Sequence, residues 1–364
     1  MSKSPAAIAS IALTAALLSS AASADTFAYV GNSGSNDISV FRVEPFSGKV
    51  EAVETVAFPG VDKAGSSTPL AVSPDKRFLF AGIRAEPYVV LSFAIDANSG
   101  RLSYRGRGPL ADSMANIATD HSGKFLFSAS YGGNKVAVNP IGADGIVGAP
   151  TQVIPTGLNA HAFLPSPDNA FVFATNLGSD QILSFHFDAA TGAVTPNEPA
   201  AIKVAEKNGP RHFVFHPNGK FVYLVNELSA ALLVFSYDAA HGTWREIQQA
   251  SALPDKFEGK PWAADLHLTP DGRFLYASER TSSTISAFKV DEENGHLTPL
   301  GSVGTEKQPR GFAIDPSGHL LAAVGEKSNA MSVYMIDGES GALRLLQSYP
   351  AGKQPNWVEF VSLP

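Results

Sequence analysis

The chain repeats itself about every 49 residues, and that period limits its fold more than any other feature. Six segments share a turn that leads into an apolar strand: "PDKRFLFAGI", "DHSGKFLFSAS", "PDNAFVFATN", "PNGKFVYLVN", "PDGRFLYASE" and "PSGHLLAAVG". Their equivalent residues are Phe78, Phe125, Phe171, Phe221, Phe274 and Leu320. A seventh copy, "FAYVGN" at Phe27, lacks the preceding turn. Each copy continues with a second run such as "VLSFAI" or "ILSFHF", and most then carry a hairpin of the form D-x-x-x-G, as at residues 96–100 and 238–242. Asp bonds its own following amides there, and Gly supplies the positive φ of the turn. A third run follows the hairpin, and a fourth, such as "RHFVFH" or "RGFAID", precedes each turn. Four antiparallel strands in a unit of this length predict a β-propeller blade, and seven copies predict seven blades.

The same unit could instead stack into an open solenoid, and the two ends of the chain decide between them. "QPNWVEFVSLP" resembles the strand in "GPRHFVFHP" but lacks its three followers, whereas "FAYVGN" opens three runs without a predecessor. One blade shared by the two ends closes the ring and removes its free edges. The expected fold is therefore all-β, a seven-bladed propeller of four-stranded antiparallel blades over residues 25–364. With 32 Gly, 25 Pro and only 17% charged residues, the composition suits short strands and tight turns.

Residues 1–24 read as a secretory signal peptide. They hold a lone Lys3, an apolar stretch over residues 6–18 and a small-residue ending, Ala22-Ser23-Ala24. An uncleaved anchor is the alternative, but the apolar run falls short of the ~20 residues that a bilayer span requires. Loss of Lys3 takes the formal charge from −7 to −8, which suits neither nucleic acid nor an anionic membrane surface as partner. The absence of cysteine excludes disulfides, thiolate catalysis and Cys-ligated metal. A periplasmic or secreted monomer is expected.

On a propeller, the loops that enter first strands and leave second strands gather at one mouth of the central channel. The entry positions carry His161, Arg211 with His212, Trp262, Arg310 and Asn356. The exits carry Asn32, Arg84, Tyr131, Asn176, Glu227, Arg280 and Glu326. Together they form a ring rich in Arg, His and carboxylate, with few of the aromatic anchors used by protein-docking grooves. His212 is a substrate contact by position, yet a regular strand would turn it away from Arg211 and pack it between blades. His216, before Pro217, is expected to cap its turn. No Gly-rich phosphate loop precedes a helix, so no nucleotide or redox cofactor is expected. A cation held by Asn32, Asn176, Glu227 and Glu326 is left open.

The run G-P-R-H…H-P-x-G-K…N-E-L at residues 209–228, with "TPDGRFLYASER" and "QPRGFAIDPSG", resembles the seven-bladed lactonase family. That family includes bacterial 6-phosphogluconolactonases and fungal carboxy-cis,cis-muconate lactonising enzymes. The resemblance covers residues 25–364 and implies a His, two Arg and a Glu at the channel mouth: His161, Arg211, Glu227 and Arg280. Arg310, Asn176 and His212 are added as substrate contacts. Asn176 and Glu279 stand where the family pattern has Asp and Asn. The implied reaction is metal-independent hydrolysis of a sugar lactone, and export favours an unphosphorylated aldonolactone. Opening a lactone needs an activated water, a stabilised oxyanion and a protonated leaving alkoxide. His161 or Glu227 would move the proton, and Arg211 and Arg280 would bind the anion. Sequence does not choose between the two proton carriers. Two other readings share these residues: a propeller that binds a sugar acid, cell-wall fragment or protein without turnover, and a carboxymuconate-type cycloisomerase.

Overall fold

In the computed structural model, which describes residues 25–364, the repeat becomes seven four-stranded antiparallel sheets. The proposed signal segment lies outside the described residues. Blade 1 pairs three early strands, Asp25–Asn32, Asp37–Val43 and Val50–Ala57, with the last strand of the chain, Pro355–Leu363. Blades 2 to 7 follow in order over residues 70–109, 114–155, 160–203, 210–251, 263–304 and 309–350. The first strand of each blade touches that of the next, and the strand Pro355–Leu363 closes the circle.

The two most repeated residues meet across blade boundaries. In blades 2 to 7 the hairpin glycine lies over a phenylalanine at or near the start of the second strand of the preceding blade. A Cβ on Gly100 would fall 2.3 Å from Phe27, and one on Gly242 would fall 2.2 Å from Phe171. Tyr29, Tyr223 and Tyr276 each donate a hydrogen bond of 2.8–2.9 Å to the carbonyl of the facing hairpin glycine. Glycine is thus required twice, for its left-handed φ and for its missing Cβ. Gly242→Ala, at φ +61 against a buried ring, should lower stability by about 1–3 kcal/mol, read as a shift in the urea midpoint.

The core lies between blades rather than within one. Phe173 of blade 4 packs with Phe213, Phe235 and Trp244 of blade 5, and every residue of the second strand Phe221–Asn226 is buried. First strands share one irregularity that matters for the site. Pairing with the second strand slips by one residue at Ala115, His161, Arg211 and Arg310, and by one again where Ala264 and Asp265 face Ser278 alone. A bulge of this kind breaks the alternation of side chains and re-aims the extra residue.

Candidate active site

Bulge residues and the first residues beyond second strands converge at one end of the channel. Glu227 follows the strand Phe221–Asn226, and Arg280 follows Phe274–Glu279 in the next blade. One oxygen of Glu227, Oε2, accepts from Nε of the bulged Arg211 at 2.9 Å and pairs with Nη2 of Arg280 at 2.8 Å. Arg211 is fully buried and also donates Nη1 to the Ala264 carbonyl. Arg280 donates Nε to Trp262 O at 3.0 Å and Nη2 to Ala263 O at 2.9 Å, with its guanidinium 4.0 Å from the centroid of the Trp262 ring. Arg211 Nη2 and Arg280 Nη1 make no hydrogen bond among the described residues. Burial alone would raise the Glu227 carboxyl, but the two arginines outweigh it and hold the group below its usual range. Burial, then repulsion from Arg280, lowers Arg211 to about 9, so it stays cationic at neutral pH.

His161 is the bulge residue of blade 4 and is 3% exposed. Its Nδ1 has no partner, and its ring lies 5.0 Å from that of His212 and 6.0 Å from that of Tyr131. Burial first, then Arg211, His212, Arg310 and Arg84, push its pKa well below 6.5. A neutral imidazole therefore lies near Arg211, one of the two cations that clamp Glu227.

Residues 54–360 match the family described as "Lactonase, 7-bladed beta-propeller". The chain belongs to this lactonase family. A 6-phosphogluconolactonase of Pectobacterium carotovorum is 41% identical over 79% of this chain and 84% of that protein. One from Klebsiella pneumoniae is 39% identical over the same shares. Among solved structures, the periplasmic gluconolactonase of Pseudomonas aeruginosa superposes with a TM-score of 0.85 at 29% identity, covering 93% of this chain and all of that one.

The structure joins Arg211, Glu227 and Arg280 directly and sets the His161 ring 5.0 Å from that of His212, the neighbour of Arg211. His212 does not pack between blades. The bulge at Arg211 cancels the alternation on which that expectation rested, so both side chains reach the channel. His212 bonds Asp265 through Nδ1 at 2.8 Å and lines a cavity of about 360 Å³ with Asp265, His267, Trp357 and Glu359. Asn176 is misplaced in the sequence reading by one residue. It ends its strand, as Asn32 and Asn226 do, whereas the mouth position is the residue after it, here Leu177. Fully buried, Asn176 donates Nδ2 to Ala174 O at 2.9 Å instead of facing the cluster. Asn32 bonds Asp37 and Ser39, and no group of three or more His, Asp or Glu among the described residues is placed to hold a metal ion. Trp262 lies two residues ahead of the true bulge and walls the mouth over Arg280. Arg310 reaches the mouth half-buried, with Nη2 3.4 Å from Ser67 Oγ. His216 caps its turn as expected, accepting from Asn218 N at 3.1 Å.

Apart from His212, the titratable residues Asp265, His267 and Glu359 of this cavity were missed in the sequence. Counting back from the turn residues His216 and Thr269 would have found one of them, because Asp265 then falls on the position of His212. Asp265 binds His212 through one oxygen and His267 through the other, at 3.3 Å. Burial would raise its carboxyl, but the two histidines keep it far below the carboxylate range. Glu359 is pushed up to about 7 by burial, against the opposing hydrogen bond from Trp357 Nε1. Its folded pKa thus lies above its unfolded one, so its contribution to stability is complete below about pH 4.5 and is lost as pH rises towards 7. Glu359→Gln should remove about 1–2 kcal/mol of that fall, discounted because the side chain faces the cavity; urea midpoints between pH 4.5 and 8 would measure it.

Proposed function

We propose that this propeller hydrolyses a sugar aldonolactone at the channel mouth. The observation that carries the reading is the Glu227 carboxylate shared by Arg211 and Arg280, which leaves Arg211 Nη2 and Arg280 Nη1 free while the neutral His161 feels the charge of Arg211. His161 takes a proton from water, whose oxygen adds to the lactone carbonyl. The arginine N–H groups stabilise the oxyanion. As the C–O bond of the ring breaks, the leaving ring oxygen receives the proton, giving the open hydroxy acid with its carboxylate against the arginines. Glu227 is assigned to positioning, because a carboxylate shared by two guanidiniums is a poor base.

Export is part of the proposal. It is supported by the signal-like residues 1–24 and by similarity to a gluconolactonase described as periplasmic. Acid release from δ-gluconolactone and 6-phosphogluconolactone, followed above the spontaneous rate with the mature protein, tests the reading. Acceleration that disappears in His161→Ala supports it. A folded protein that accelerates neither lactone excludes both substrates and favours binding without turnover.

A further inference from the structure

The mouth holds two pairs of arginines, and they differ in what lies between them. Glu227 separates Arg211 from Arg280. Arg84 of blade 2 and Arg310 of blade 7 converge instead on a hydroxyl, Ser67 Oγ, at 2.8 Å from Arg84 Nη1 and 3.4 Å from Arg310 Nη2. Neither has a carboxylate within ion-pair distance among the described residues. The nearby acidic groups are engaged elsewhere: Asp112 with Lys135, and Glu326 with Gln308. Arg310 Nε is buried without a partner.

This arrangement is rigid. Ser67 is fully buried on a loop that Gly65 allows to lie against Arg84: at φ +97, a Cβ there would sit 2.8 Å from the Arg84 backbone. The loop is tethered at Ala64 by Asn36 Oδ1 at 2.7 Å and at Thr68 by Asn356 Oδ1 at 2.9 Å. Ser113 holds Arg84 Nε from the other side at 3.3 Å. Burial, then repulsion from Arg310, lowers Arg84 to about 10, which leaves it charged at neutral pH. Two like charges held together with an unpartnered N–H are costly to folding, and such a cost is typical of a site built for an external anion.

We infer that Arg84, Arg310 and Ser67 form an anion subsite that receives an acidic substituent of the lactone, a phosphate or a carboxylate at the end of the sugar remote from the reacting carbonyl. Ring-opening occurs on the side of blades 4 to 6, where His161, Arg211 and Arg280 lie; the acidic group points to blades 2 and 7. The inference rests on the lactonase reading for its orientation, and on its own residues for the binding.

Gluconate, glucarate and 6-phosphogluconate share the carboxylate at C1 and differ at C6, which is a hydroxyl, a carboxylate or a phosphate. Calorimetric titration of the mature protein should show at least one C6-acidic ligand binding ten-fold or more tighter than gluconate; which of the two gains identifies the group. Arg84→Met should shrink that ratio to about two. Arg84→Gln, which can still bond Ser67, should do the same if the methionine variant folds poorly. Equal binding of all three ligands, or an equal loss for all three in the variants, overturns the subsite. Turnover of δ-gluconolactone, measured alongside, separates the two readings. Selective binding without turnover of any lactone defeats the lactonase proposal and leaves the subsite, whereas turnover without C6 selectivity does the reverse.

Discussion

His161→Ala is expected to lower kcat on an aldonolactone by a factor of about 10²–10⁴, the usual contribution of a positioned acid–base group. The substitution orphans no protein hydrogen bond at Nδ1, which has no partner. The loss should therefore fall on rate far more than on stability, and circular dichroism with a urea titration would check that the fold persists. A pH profile adds a second check. Burial and the surrounding arginines push the His161 pKa well below 6.5, so the wild-type rate above background should stay flat as pH falls through the ordinary imidazole range. A variant that keeps its rate within three-fold would move proton transfer elsewhere. His212, oriented by Asp265 and lowered to about 4, would then be the next group to test.

Glu227→Ala should have a different signature. It removes a carboxylate shared by Arg211 and Arg280, both of which are nearly or fully buried. Breaking a buried pair from one side leaves uncompensated charge, at a cost of about 3–5 kcal/mol. Activity should fall as well, since the free arginine nitrogens lose their placement. The sign of the pH effect is fixed by the lowered pKa: the stability contributed by Glu227 is present above its unfolded value near 4.5 and is lost as pH falls through the folded one. The acid side of the wild-type stability curve should therefore be steeper than that of the variant, as read from urea midpoints at pH 3.5, 5 and 7. Glu227→Gln should cost less stability because one hydrogen bond to arginine can survive. Equal midpoints for Glu227→Ala and wild type would sink the idea that this carboxylate holds the cluster together.

Much of the architecture was visible in the chain itself because it rests on short-range chemistry. Each P-x-G turn and each D-x-x-x-G hairpin is a local backbone requirement, and their period reported the blade directly. The orphan strand "QPNWVEFVSLP" announced the shared blade for the same reason. What escaped was register. A strand alternates its faces with a period of two, so an error of one residue exchanges mouth for interior. Asn176 was caught by that error, and its neighbour Leu177 occupies the position equivalent to Glu227. The bulges are invisible to an alternating pattern, because nothing in "GPRHFVFH" marks Arg211 as the extra residue. Asp265 and Glu359 were harder to see because part of their setting comes from distant segments, such as the bond from His212 to Asp265, 53 residues away.

The strand Pro355–Leu363 has two duties, as the inner strand of blade 1 and as a wall of the channel cavity, through Trp357 and Glu359. Asn356 within it also pins the loop of Ser67 through Thr68 N. A polypeptide emerging from its N-terminus therefore carries nearly all of its reactive side chains while the vessel around them is still unsealed. The ring closes only when the nine-residue strand Pro355–Leu363 pairs with Asp25–Asn32. Removing this strand would do more than shorten the protein: it would unpair Asp25–Asn32 on one side and release the loop of Ser67 from Asn356.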